Sequence, residues 1–266
     1  MTPSSPLGIR APLGGARWTS LVNVVLVDAA GSTNDEARGV VERMISEDTE
    51  ILPTLVAARR QRSGKGRQGR GWVSAGANPL AVSLVAPWPE GPDRVKVPVA
   101  WGIRLARGLS AGYGLHVRLK WPNDLLVGRR KLGGLLVEAR VAPEGGGYAV
   151  VGIGLNVDAT RADLDAAGLD GATSLLLEGA DPALLAGTAP LLFLAGLLDE
   201  GLRSEIDDIP AAFASVAAHA PGDHLEVHDG GAKAAGAYAG VTEEGFLRLR
   251  TGEGIEVVLS GDVTLP

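Results

Sequence analysis

Apolar positions in this chain repeat with period two in some stretches and close to 3.6 in others, and the changes of period outline its elements. Leu21–Asp28 (LVNVVLVD) is a β-branched apolar run that predicts a buried strand. Gly31 then turns the chain into Ser32-Thr33-Asn34-Asp35-Glu36, where Thr33 and Glu36 have capping-box spacing, and Ala37, Val40, Val41, Met44 and Ile45 follow on one helical face. Thr54–Ala58 and Leu80–Ala86 read as further strands. A mostly buried helix is expected from about Pro98 to Ser110 on Val99, Ile103, Leu105, Ala106 and Leu109, with Pro98 in its first turn. Leu115–Lys120 alternates as a strand, Leu125–Val127 and Leu135–Glu138 form a hairpin about Gly128–Arg130, and Tyr148–Val157 is another apolar strand. Asp181–Arg203 and Ile209–Ala218 carry helical patterns. Beyond Pro221, short runs at Leu225–Val227, Ala235–Tyr238, Phe246–Arg250 and Ile255–Leu259 alternate with Gly-containing turns, as in a small β-barrel module.

Many strands with few intervening helices predict an α+β fold: a mixed or antiparallel sheet packed with helices, plus the small C-terminal barrel. The boundaries expected are a Pro-, Gly- and Ser-rich lead-in over 1–20, a main domain over 21–219 and the β module over 220–266.

Charge changes this picture at one place. No acidic residue stands between Glu50 and Glu90, and that gap holds Arg59, Arg60, Arg62, Lys65, Arg67 and Arg70. Gly64, Gly66, Gly69 and Gly71 interleave with the last three cations, so the segment predicts a mobile loop that presents N–H groups and guanidinium forks to an anion, and orders when the anion binds. The net charge of the whole chain is −6, so this basic loop is a local feature, unlike the broad basic face of a nucleic-acid binder. Apolar residues make up 45% of the chain, enough for a sizeable core, yet no run reaches membrane-spanning length. With no signal-peptide pattern either, a cytoplasmic protein is expected. The absence of cysteine excludes disulfides, thiolate nucleophiles and Cys-based zinc sites, and His116, His219, His224 and His228 show no metal-ligand spacing.

The loop fails as a P-loop, because Gly66 follows Gly64-Lys65 where Ser or Thr is needed and no glycine stands five residues earlier. Gly64, Gly66 and Gly69 match a dinucleotide fingerprint in spacing only, since no helical pattern follows. Read with other segments, it acquires a context. Gln61 through Trp72 (QRSGKGRQGRGW), Lys120-Trp-Pro-Asn-Asp124, Lys131-Leu-Gly-Gly-Leu-Leu-Val-Glu138, Ser32-Thr33-Asn34 and Gly152-Ile-Gly-Leu-Asn156 resemble, in order, the signature blocks of biotin protein ligases. The resemblance covers about 21–160 closely, and the terminal module resembles the family's SH3-like barrel in texture.

That resemblance implies a two-step reaction: biotin and ATP form biotinyl-5′-AMP, and biotin passes to a lysine of a biotin carboxyl carrier domain. It implies that Ser32, Thr33 and Gln61 hydrogen-bond the biotin ring system, with Lys65 contributing main chain and Asn34, Gly64, Gly66 and Gly134 completing the binding set. Lys131 would reach the carboxylate or adenylate phosphate, Asn123, Asp124 and Asn156 would face the nucleotide, and Trp72 would cover a flat ring. Magnesium, Arg67, Arg70 and Lys131 would offset charge at phosphorus. Lys65 stands where the family often carries Arg, and Gln68 replaces another common cation.

Lipoate ligases and octanoyl transferases share the implied fold, but their glycine-rich block with a following His-Asp is missing, as is the transferases' cysteine. A DNA-binding regulator needs a helical reader for which residues 1–20 leave no room, so no specific DNA partner and no membrane is expected. A non-enzymatic biotin- or nucleotide-binding protein would have no need of Lys131, Arg67 and Arg70 together. A homodimer is compatible with the sequence.

Overall fold

A computed structural model of the chain describes residues 19–88, 95–141, 147–229 and 231–264. The predicted lead-in falls outside the described residues up to residue 18. Thr19, Ser20 and Leu21, its end and the start of the first strand, are fixed: their backbone N–H groups donate to the carboxylate of Asp199 at 2.6–3.1 Å.

Seven strands form the main sheet: β1 (Asn23–Ala30), β2 (Thr54–Gln61), β5 (Leu80–Pro87), β6 (Val117–Lys120), β7 (Asp124–Val127), β8 (Arg130–Val141) and β9 (Gly147–Leu155). Their order is β1-β2-β5-β9-β8-β7-β6; β1 and β2 are parallel and the other neighbours antiparallel, the mixed sheet that the sequence predicts. The two strands between β2 and β5 are the short β3 (Gly64–Lys65) and β4 (Gly71–Trp72), paired with each other alone.

The central strands are largely apolar because both faces are covered. Leu55, Leu84 and Val151 point into the main core with helices α2 (Val97–Tyr113), α5 (Ala189–Gly201) and α6 (Ile209–Val216). Val56, Val85 and Val150 point the other way, onto Ala37, Val40 and Val41 of α1 (Thr33–Ser46). Gly102 lets α2 sit close to the sheet, since a Cβ there would meet Leu119 at 2.8 Å. The helix ends at Gly114, whose φ of 66° is left-handed, with its N–H on the Ser110 carbonyl.

The helical pattern of 181–203 is two helices, α4 (Pro182–Leu185) and α5. Gly187, at φ 57°, and Pro190 in the first turn of α5 break the run. A short α3 (Arg161–Ala166) was not expected from periodicity; a capping box between Thr160 and Asp163 starts it. The capping box read at Thr33 and Glu36 does not form: Ser32 is the N-cap, with no side-chain bond to the helix.

The C-terminal strands β10 (His224–Asp229), β11 (Ala232–Val241), β12 (Leu247–Thr251), β13 (Gly254–Val258) and β14 (Asp262–Thr264) make an antiparallel sheet in the order β13-β12-β11-β10-β14. This five-stranded antiparallel module is the small C-terminal SH3-like unit that the sequence predicts, with β13 and β14 at the two ends of the strand order. It shares one core with the main sheet: Leu225, Val227, Tyr238, Leu247 and Leu249 pack in the same apolar cluster as Leu119 and Trp121. Trp121, 2% exposed, fixes the junction by donating Nε1–H to the Gly245 carbonyl at 2.9 Å. Among the described residues no helix is long and apolar enough to cross a membrane.

Candidate active site

A cleft with about 700 Å³ of empty volume opens where α1 begins, between β2, the β3–β4 hairpin, β7, β8 and β9. One end is polar and buried. Thr33 leaves its expected capping role: its N–H donates to Gln61 Oε1 at 2.9 Å and its hydroxyl lies 3.3 Å from the same oxygen. Ser83, in the middle of β5, lies 2.8 Å from the Thr33 hydroxyl and donates to Asn34 Oδ1 at 2.6 Å. The Asn34 amide nitrogen donates to Glu138 on β8 at 2.6 Å, and Arg38 pairs with Glu138 at 3.3 Å. Asn34 is therefore held inside the protein through both its amide oxygen and its amide nitrogen; it lines the cleft as a brace. Gly152 makes this brace possible, because a Cβ there would overlap the Asn34 amide.

The other end is cationic. Lys131 and Asp124 meet at 2.6 Å, and Lys120 reaches the second oxygen of Asp124 at 3.1 Å. Burial pushes the Asp124 carboxyl up, but the two ammonium groups outweigh that and hold it below the usual carboxylate range. A β-bulge sets this contact: Leu125 pairs with Gly133 while Leu126 pairs with Lys131, leaving Leu132 surplus. The surplus residue brings Lys131 to the face shared by Asp124 and Gly134, although Lys131 and Gly134 are an odd number of residues apart. Trp72 lies across β9 on Gly154, where a Cβ would strike its ring, and the Lys131 Nζ stands 5.8 Å from the ring centre.

The glycine-rich segment is a compact hairpin with a single 3₁₀ turn (Arg67–Gly69) between its strands. Gln68 sits at φ 53° in that turn. The carboxylates missing from the local sequence arrive from elsewhere, which corrects the expectation that a ligand is the loop's sole anion. Lys65 pairs with Asp35 of α1 at 2.6 Å, and Asp262 of β14 takes Arg67 at 3.2 Å and Arg70 at 2.6 Å.

Of the residues singled out in the sequence, Ser32, Thr33, Asn34, Gln61, Lys65 and Gly66 line the cleft, as do Arg67, Arg70, Trp72, Asn123, Asp124, Lys131 and Gly134. Gly64 and Asn156 do not. Gly64 is a packing position, where a Cβ would come 2.6 Å from the Trp72 carbonyl. Asn156 is 3% exposed and donates to the Thr173 carbonyl at 2.9 Å, so it ties the end of β9 to the following loop and does not face the cleft. Ser83 and Asp262 were missed. A lone hydroxyl inside the apolar run of β5 needs a buried partner, and that was the available signal for Ser83. Among the described residues no three acidic or histidine side chains group as a metal site.

Residues 31–158 match the biotin/lipoate A/B protein ligase family model, and residues 225–265 match the biotin protein ligase C-terminal domain model. The second match separates the lipoate branch from the biotin branch, since it covers the strands of the C-terminal sheet. The chain belongs to the biotin protein ligase family. It is 27% identical over 247 residues to the bifunctional ligase/repressor BirA of Bacillus spizizenii, covering 91% of this chain and 74% of that protein. Against the biotin–[acetyl-CoA-carboxylase] ligase of Mycobacterium tuberculosis it is 34% identical over 173 residues, 61% of this chain and 57% of that one. The structure of the Aquifex aeolicus biotin protein ligase in complex with biotin and ATP superposes with a TM-score of 0.68, at 25% identity, over 91% of this chain and 97% of that one. For this biotin protein ligase fold, the α+β reading of the sequence holds, including its small C-terminal SH3-like module.

Proposed function

We propose that the protein activates biotin with ATP to biotinyl-5′-AMP and transfers biotin to a lysine of a biotin carboxyl carrier domain. The observation that carries this reading is the continuity of the cleft: a buried, neutral hydrogen-bonding end runs without a break into a cationic end. The ureido ring of biotin suits the first, where Ser32, Thr33 and Gln61 offer hydroxyl and amide groups. Its carboxylate then lies towards Lys131, with the nucleotide beyond.

In the first step a biotin carboxylate oxygen forms a bond to the α-phosphorus, and the bond from that phosphorus to the bridging oxygen breaks; pyrophosphate leaves with the electron pair. Two anions must approach, so Lys131, Arg67 and Arg70 offset the charge that develops. Asp124 is the positioning residue for Lys131; a carboxyl held in its ionised form by two lysines is a weak base and a good anchor. Magnesium would supply further charge neutralisation at the nucleotide's phosphates, a mode that needs few protein ligands. In the second step the neutral amine of the acceptor lysine attacks the acyl carbon, the bond to the phosphate oxygen breaks, AMP departs and the nitrogen loses a proton. Trp72 and the hairpin keep water from the mixed anhydride until then.

Biotin-dependent exchange of pyrophosphate into ATP, measured with magnesium, tests the reading. Exchange with biotin is expected; equal exchange with lipoate or octanoate overturns it.

A further inference from the structure

Arg67 and Arg70 both line the cleft, yet one carboxylate from the other sheet already binds the two of them. We infer that Asp262 is an internal counter-ion that competes with the nucleotide's phosphates for Arg67 and Arg70, and so selects for polyphosphate ligands. This deepens the ligase reading above and rests on it.

The carboxylate is delivered by rigid backbone. Asp262 pairs with His228 across β14 and β10, and Gly261 before it has φ 131°, where a Cβ would come 2.5 Å from Val227. The acceptors are crowded: Nη1 of Arg67 faces the Gly261 carbonyl at 2.9 Å, Asp262 at 3.2 Å and Asn123 at 3.5 Å, with only two hydrogens to give. Such an arrangement yields an N–H readily to a stronger acceptor. Exposure points the same way. The side chain of Asp262 is 26% exposed and that of Arg70 is 60% exposed, so water screens the pairs and they exchange at modest cost.

A singly charged anion has little advantage over a fixed carboxylate that bridges both arginines. A triphosphate brings several charges and displaces it. After transfer, AMP carries a single phosphate, and Asp262 retakes the arginines as it leaves. The C-terminal sheet keeps its hold on the hairpin meanwhile through Gln68, whose amide donates to Asp229 at 3.3 Å.

The test uses the full chain, wild type and Asp262→Asn, titrated calorimetrically with inorganic tripolyphosphate and with AMP, alongside steady-state exchange kinetics. The Asn variant should bind tripolyphosphate about three- to tenfold more tightly, the range expected for removing partly exposed ion-pair competition. Its KM for ATP should fall by a similar factor with kcat held within about twofold, and AMP should gain affinity by a larger factor than tripolyphosphate. Unchanged or weaker tripolyphosphate binding overturns the inference, as does a fall in kcat at constant KM, which would make Asp262 a positioning residue for the arginines. Asp262→Ser, equally neutral and smaller, serves if the Asn variant does not fold. Wild-type exchange separates the two readings: no exchange with biotin refutes the ligase assignment, whereas normal exchange with unaltered affinities in the variants refutes the counter-ion alone.

Discussion

At the Ser32 end of the cleft, buried polar atoms are engaged by neutral side chains from α1, β2 and β5, with the Glu138 carboxylate of β8 behind Asn34, whereas at the Arg67 end charged groups stay partly exposed and are held by carboxylates. The first arrangement suits a ligand met in one fixed pose: hydrogen-bond geometry is set before it arrives, and little has to move. The second suits a ligand that comes, reacts and leaves in pieces. Ion pairs between Lys131 and Asp124, or Arg67 and Asp262, can be exchanged for pairs to phosphate without leaving an unpaired charge buried. The contrast teaches that order in one half of a site and exchangeability in the other can be built from the same sheet.

The sharpest way to break the cationic half is Lys131→Ala. Adenylate formation should fall by about 10²- to 10³-fold, the usual loss for a group that meets developing charge, while the thermal midpoint barely moves. Single-turnover assays and thermal melts of the same preparations check this; a large loss of midpoint with near-normal adenylation would falsify the catalytic role. Asp199 supplies a control remote from the chemistry. Burial pushes its carboxyl up, but the N–H groups of Leu21, Ser20 and Thr19, with Arg203, hold it below the usual range. Because the folded value lies below the unfolded one, near 3.9, this stabilisation is present above about pH 4 and lost as pH falls through the folded value. Asp199→Asn should cost about 1.5–3 kcal/mol at neutral pH, and its melting temperature should depend less on pH in acid than that of the wild type. Melts between neutral and strongly acidic pH check both; parallel curves for the two proteins would show that the charge is immaterial.

The neutral half is best probed from below, through its floor. Gly152→Ala should push Asn34 off its brace and raise the KM for biotin by about 5- to 50-fold, with the KM for ATP changed far less. Steady-state kinetics in each substrate measure the split, and equal losses for both would erase the distinction between the halves. The smallest effect is expected at Gln68→Gly. Relief of the left-handed backbone is opposed by the added freedom of the unfolded chain and by loss of the exposed hydrogen bond to Asp229, so stability should stay within about 0.5 kcal/mol and rates within about twofold. Denaturant titration is sensitive enough to reveal anything larger.

Much of this was legible in the sequence because the signals were local. The strands read at Thr54–Ala58 and Leu80–Ala86 are β2 and β5, which run on to Gln61 and Pro87, and the Lys120–Asp124 and Lys131–Glu138 blocks meet because a hairpin joins them. What the sequence hid depends on long-range pairing. Asp262 belongs to a three-residue edge strand too short for any periodic signal, and its partners stand on the far side of the chain. Counting by twos along β8 puts Lys131 on the wrong face, because the bulge at Leu132 exists only against β7. Asn156 was placed at the nucleotide by its block, yet its amide is spent on the Thr173 carbonyl. The α3 cap at Thr160 and Asp163 was readable from spacing; the helix itself is too short to show a period.

The pairing of Asp262 with Arg67 also has a schedule. The two residues are 195 apart in the chain, so at about 5–20 residues per second the arginine leaves the ribosome roughly 10 to 40 s before its carboxylate is made. Through that interval the remaining strands of the main sheet, β5 to β9, are synthesised, and the cleft can assemble with its arginines bare to whatever polyanions surround the nascent chain. Neutralisation comes with β14, the last strand among the described residues. On the counter-ion reading, a product cut short just before Asp262 would hold phosphates less selectively, and it would also lose Val263 from the core that the two sheets share.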